Sequence, residues 1–218
     1  MPSRTRSKPS PASPADAPRL TRDDWLAAAH AAVVEGGFDQ LRVLLIAKAL
    51  RVTRGSFYWH FSDHAELQAE LLAGWRQRQL SLINQLQAPA SSDPQAELER
   101  VLDAALAHAG TDLEHMRFEL ALRGLGRRDA AVARLLAEVD VQRLQLFERK
   151  FLSLVGDPAV ALDLARLFYL AVVGSHQALA RPGNPPQLKG QLKRLIATYL
   201  VVRHAPAAVP APRRRAMA

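Results

Sequence analysis

The sequence predicts an all-α protein: an N-terminal three-helix head carrying a helix-turn-helix, then a C-terminal helical bundle, about nine helices in total. Three observations predict it. Apolar residues recur three and four apart through almost every segment, and no stretch alternates convincingly at the two-residue period of a half-buried strand. Gly and Pro clusters cut the chain into pieces of helix length. Residues 51–61, RVTRGSFYWHF, crowd basic, hydroxyl and aromatic side chains into about three helical turns.

Each element has a local cause. Thr21 caps a first helix whose inward stripe is Trp25, Ala28 or Ala29, Ala32 and Val33, and Gly36-Gly37 stops it. Residues 41–50 form a second, with Val43, Ile46, Ala47 and Leu50 on one face. After a tight turn at Arg51 and Val52, a third begins near Thr53 and turns Phe57 and Phe61 to the same core. Asp63 and Glu66 make a capping-box-like start to a long fourth, with Leu67, Leu71, Trp75, Arg78 and Leu82 along one side. Residues 88–94 break the pattern, and Asp93-Pro94 restarts it as a fifth helix. Thr111 and Glu114 open a sixth, which Gly124 and Gly126 loosen. Asp129 caps a seventh carrying Val132, Leu136, Val139, Leu146 or Phe147, and Leu154. Gly156 ends it, Asp157-Pro158 begins an eighth that runs to about residue 180, and a ninth follows the breaker at 181–186 over roughly 187–203.

Composition removes several classes of function. No cysteine is present, so disulfides, thiol redox chemistry and thiolate metal sites are out. The notable apolar run, residues 167–173, is far shorter than the ~18 residues of a membrane span. Arg4, Arg6 and Lys8 lie among prolines and serines with no apolar segment, so no secretory signal is expected and the cytoplasm is the default location. The net charge of +8 comes from the two ends. Residues 1–22 hold five Lys/Arg against one acid, residues 203–218 hold four Arg and no acid, and 23–202 hold 20 of each sign. The expected organisation is a disordered basic tail over 1–18, a head over 19–66, a body over 67–204 and a second basic tail over 205–218.

Within the neutral middle, one stretch is locally cationic. No acid lies between Gln40 and Ser62, whereas Arg42, Lys48, Arg51 and Arg54 do. A short cationic, hydroxyl-bearing helix after a helix and tight turn suits a DNA major groove: Arg, Ser and Thr reach base edges and phosphates, and the apolar face anchors the helix. The stretch around it, LTRDDWLAAAHAAVVEGGFDQL, then IAKAL-RVTRGSFYWHF, then DHAEL, resembles the TetR/AcrR family of one-component transcriptional regulators over about residues 20–72. Past residue 85 only length and helix count match.

The resemblance implies an all-α homodimer whose head reads DNA and whose body binds a small molecule. It implies that Thr53, Arg54, Gly55, Ser56 and Tyr58 face the groove, that Tyr58 and His60 reach phosphates, and that Trp59 stands where an aromatic or His is common. Arg54 suits a guanine, Gly55 admits the backbone, and Ser56 suits a phosphate or base. Departures are visible too. Arg42 replaces a capping Ser or Thr and offers a phosphate contact instead; Arg51 replaces the glycine expected in a left-handed conformation. His64 replaces a lysine, making that phosphate contact weaker and pH-sensitive. Leu44 and Leu45 stand where polar residues are common and are expected to pack against the body.

In the body, His108, His115, Phe118, Arg123, Phe147, Tyr169 and His176 are the side chains best suited to line a mostly apolar effector cavity. Pairing of two chains is expected through Leu164, Phe168, Ala171, Ser175 and Ala178 of the eighth helix with Leu192, Leu195 and Tyr199 of the ninth. Two heads then sit about 34–36 Å apart on a palindromic operator. No cofactor, metal or enzymatic chemistry is expected. His60 and His64 straddle a helix break, and His115 with Glu119 supplies two ligands where zinc takes three or four. The competing reading is a helical adaptor or ligand-binding protein whose basic helix does not read DNA.

Overall fold

A computed structural model describes residues 20–107 and 113–179, together with Gly190 and Arg194. Among these residues there are eight α-helices, one 3-10 turn and no strand. Helix α1 (Arg22–Gly36) starts on a reciprocal capping box, Thr21 with Asp24, and a 3-10 turn (Phe38–Gln40) leads to α2 (Val43–Ala49) and α3 (Arg54–Phe57). Then come α4 (His64–Gln87), α5 (Pro94–Ala107), α6 (Leu113–Gly126), α7 (Ala130–Val155) and α8 (Pro158–Leu179). Asp63 and Asp129 cap α4 and α7 as their positions predict, and Gly156 ends α7 in the left-handed region at φ 73°. The expected ninth helix, the Thr111 cap, His108 and both tails lie outside the described residues.

Two apolar cores organise the chain. The first joins head to body: Trp25, Ile46, Phe57, Phe61, Leu67 and Trp75 share it with Phe118 and Leu122 of α6 and Val132, Leu136 and Val139 of α7. The second lies wholly in the body, where Phe147 and Phe151 of α7 meet Leu164 and Phe168 of α8. Burying each such large side chain contributes roughly 1.5–3 kcal/mol.

Three expectations are corrected. In α4 the inward stripe runs Leu67, Leu71, Trp75, Gln79, Ile83 and Leu86, so Arg78 is exposed and Leu82 only half-buried. The reason lies in the body, where Gln79 is drawn in by buried polar partners. Leu44 is 67% exposed and Leu45 41%, so neither packs against the body. Leu164 and Phe168 are buried in their own chain and Ala171 packs on the same core, so these three residues of the stripe are taken up by the chain's own packing. The outward face of α8 instead carries Leu167 and Leu170, 53% and 65% exposed. The side chains of Ser175, His176 and Ala178, and Leu192, Leu195 and Tyr199, lie outside the described residues.

Candidate DNA interface and effector cavity

The turn between α2 and α3 is built by the residue the sequence singles out. Arg51 adopts φ 59°, and Val52 N–H donates to Ala47 C=O at 3.0 Å, the long-range bond of a Schellman ending. That reversal sets α3 at its angle to α2. Phe57 and Phe61 then stack inward at 5.3 Å, with Trp25 edge-on to Phe57 at 5.4 Å. The opposite side leaves Thr53, Arg54, Gly55, Tyr58 and Trp59 exposed, Trp59 to 82%, with Ser56 and His60 half-buried. Arg54 Nη2 donates to Tyr58 Oη at 3.2 Å, so these two side chains form one cationic, hydrogen-bonding pair on the surface.

Arg22, Glu66 and His64 fix this face to its neighbours. Arg22 donates to the His60 carbonyl and to Glu66 and Glu70 of α4, and its guanidinium lies 4.3 Å from the Phe61 ring centre. One fork thus ties α1, the exit of α3 and the start of α4 together. Glu66 also accepts from Ser62 N–H and Oγ; Ser62 first, then Arg22, hold its carboxyl down to about 2. The His64 ring bonds the Leu41 carbonyl, which anchors α4 to the segment before α2. Arg42 sits at the N-cap of α2 without capping it; its Nε donates to the Asp39 carbonyl at 3.0 Å.

In the body, a buried polar cluster borders a small cavity. Glu119, 0% exposed, accepts from Arg123 at 2.7 Å and from both terminal nitrogens of Arg143 at 2.8 Å. Asp140 takes Arg123 bidentately at 2.9 and 3.1 Å, and Arg123 reaches the Tyr169 hydroxyl at 3.3 Å. Burial first, then its bond to Asp140, pushes the Tyr169 phenol up. Arg143 also donates to Gln79 Oε1 at 2.7 Å, and Gln79 Nε2 donates to His115 Nε2 at 2.8 Å. The cavity, about 40 Å³, has Gln79, His115, Glu119 and Arg143 at one end and Ile83, Leu86, Leu146, Phe147 and Val172 around the rest. His115 also borders an open cleft of about 530 Å³ between α1, α4 and α6. Among the described residues, no three His, Asp or Glu side chains are grouped to hold a metal.

Residues 26–71 match the family model described as bacterial regulatory proteins, tetR family. Solved structures share the fold across most of the chain. A transcriptional regulator from Rhodococcus sp. RHA1 is 19% identical at a TM-score of 0.69, covering 87% of this chain and 100% of its own. A TetR transcription regulator from Haloarcula marismortui is 14% identical at 0.65, covering 85% and 98%. Over that head, residues 26–71, the chain is similar to TetR-family regulatory proteins. The ketosteroid transcriptional regulator KstR2 of Mycobacterium tuberculosis is a further structural neighbour, 16% identical at 0.63, covering 85% and 95%. No curated protein matches the sequence.

The fold sorts the candidate residues. Thr53, Arg54, Gly55, Tyr58 and Trp59 come together on one exposed face, with Ser56 and His60 at its edge. His115 and Phe147 do line the cavity, and Arg123 bonds Tyr169 beside it. Phe118 does not line that cavity: it stacks on His30 at 4.7 Å and meets Phe38 edge-on at 5.7 Å, inside the head–body joint. Sequence reasoning missed Arg22, Gln79, Asp140 and Arg143. A signal was present: Glu119 with Arg123, and Asp140 with Arg143, are opposite charges one turn apart on the same helix.

Proposed function

We propose that this regulator binds a palindromic operator as a homodimer, represses from it, and is released by a small, mostly apolar ligand; its place of work is the cytoplasm. One observation carries the DNA half of the reading. The exposed face of α3 is cationic, hydroxyl-bearing and aromatic, and no acid lies in residues 41–61 to cancel it. Arg54 reads a guanine edge, worth roughly 1–3 kcal/mol of discrimination. Tyr58, Ser56, His60 and Arg42 hold phosphates, and Trp59 packs along the backbone. His64 contributes less than a lysine would, because its ring is engaged with Leu41.

Regulation follows from volume. A cavity of about 40 Å³ holds no more than a water or so, whereas ligand sites run to hundreds of Å³. A ligand therefore favours an expanded body, and the population shifts by its differential affinity for the two geometries. Helix α6 lines the cavity through His115 and Glu119 and grips the head through Phe118. Expansion moves that joint and misfits two heads spaced for one DNA turn. Leu167 and Leu170 supply the described part of the pairing face.

Selection from random oligonucleotides at low salt tests the reading: a two-fold symmetric consensus is expected, and no sequence preference refutes it. Leu170→Asp should yield monomers in sedimentation and weaken operator binding. Unchanged dimers would move the pairing face elsewhere.

A further inference from the structure

Among the described residues, the formal charges at the polar end of the cavity balance, and that restricts what can enter. Arg123 and Arg143 bring two positive charges; Glu119 and Asp140 bring two negative. Arginine has only donors, so Gln79 must present its oxygen to Arg143 and its NH₂ to His115. A ring nitrogen that accepts from that amide belongs to a neutral imidazole, so His115 adds no charge. Tyr169, with its phenol pushed up, is neutral as well.

A ligand head entering here meets a cluster of zero net charge. A carboxylate would have to compete with buried Glu119 for Arg143, and an ammonium would compete with the arginines for the same two carboxylates. Either leaves one buried ion of the cluster without a partner. An uncharged hydroxyl or carbonyl disturbs none of these bonds and can accept from the second N–H of the Gln79 amide. Ile83, Leu86, Leu146, Phe147 and Val172 suit an aliphatic or alicyclic body. We propose that the effector is an uncharged amphiphile, an apolar body ending in one hydroxyl or carbonyl, and that the regulator discriminates against carboxylate and amine analogues of the same shape. This rests on reading the cavity as the effector site.

Three probes with one chain and different heads test it: 1-octanol, octanoate and octylammonium, titrated into the full-length protein at neutral pH. Octanol should raise the thermal midpoint and bind at least about tenfold more tightly than either ion. Ala105 of α5 also lines the cavity, and Ala105→Trp, or Val172→Phe as a milder filling, should abolish the octanol effect. Glu119→Gln removes one negative charge, so octanoate should then overtake octanol; Asp140→Asn, at the rim of the cluster, should shift the order the same way. An ion binding the wild type as well as octanol overturns the neutral-head assignment while the cavity reading stands. No binding by any probe, or octanol binding that survives both filled cavities, overturns the cavity reading with it. An unchanged preference in both charge variants overturns the electrostatic ground of the proposal.

Discussion

The head and the body use arginine in opposite ways. In the head, Arg54 stands exposed, bonded only to the hydroxyl of Tyr58, with no carboxylate in residues 41–61. In the body, Arg123 and Arg143 are largely buried, and each is met by carboxylates at hydrogen-bond distance. The difference is a matter of solvation. An exposed guanidinium keeps its water until a phosphate or base edge displaces it, so leaving it unpaired costs little. A buried one loses its water on folding and requires a partner already in place. One region is built to be completed by something outside the chain, and the other is complete by itself.

The sharpest break of this contrast is Glu119→Ala. It leaves Arg143 with only the longer pairing to Asp140 at 3.8 Å and removes one of the two carboxylates that meet Arg123, which in a buried site costs on the order of 3–5 kcal/mol. The thermal midpoint should fall by on the order of 10 °C, followed by circular dichroism. A shift of a degree or two would mean that water already compensates this cluster. The mirror experiment in the head is Arg54→Ala with Tyr58→Ala. Operator affinity should fall roughly 100-fold or more, while stability stays within about 0.5 kcal/mol because both side chains face solvent. Loss of folding, or retained binding in a gel shift, would break the comparison from that side.

A smaller effect separates Glu66 from both. Its carboxyl is held at about 2 against an ordinary 4.5, so its contribution is present above 4.5 and lost as pH falls through 2. Glu66→Gln should flatten the dependence of the thermal midpoint on pH across that window; an unchanged acid limb would show that the Ser62 and Arg22 bonds do not persist. Smallest is Arg51→Gly, which relieves a left-handed arginine at φ 59° and should gain up to about 1 kcal/mol in denaturant unfolding. A loss would mean that the Arg51 side chain makes compensating contacts.

How much was legible depended on the range of the cause. Thr21, Asp63 and Asp129 cap the helices their positions predict, since a cap acts on amides two or three residues away. The alternation of buried Phe57 and Phe61 with exposed Tyr58 and Trp59 follows from spacing alone. α8 shows where such reasoning stops. Leu164 and Phe168 make one apolar stripe and Leu167 and Leu170 another, and nothing local says which turns inward. The phase was set by Phe147 and Phe151 waiting on α7. Likewise the α4 stripe drifts from Arg78 to Gln79 because Arg143, 64 residues later, needs an acceptor there.

By itself the sequence determined the described helices, the turn at Arg51 and the identity of the exposed side chains of α3, because each depends on neighbours within a turn or two. Only the tertiary structure decided that Glu119 meets Arg143 across 24 residues, that Phe118 belongs to the head–body joint and not to the cavity wall, and that α8 shows solvent its Leu167–Leu170 side. Those outcomes turn on which surfaces meet when the helices pack, and helical periodicity carries no record of the partner.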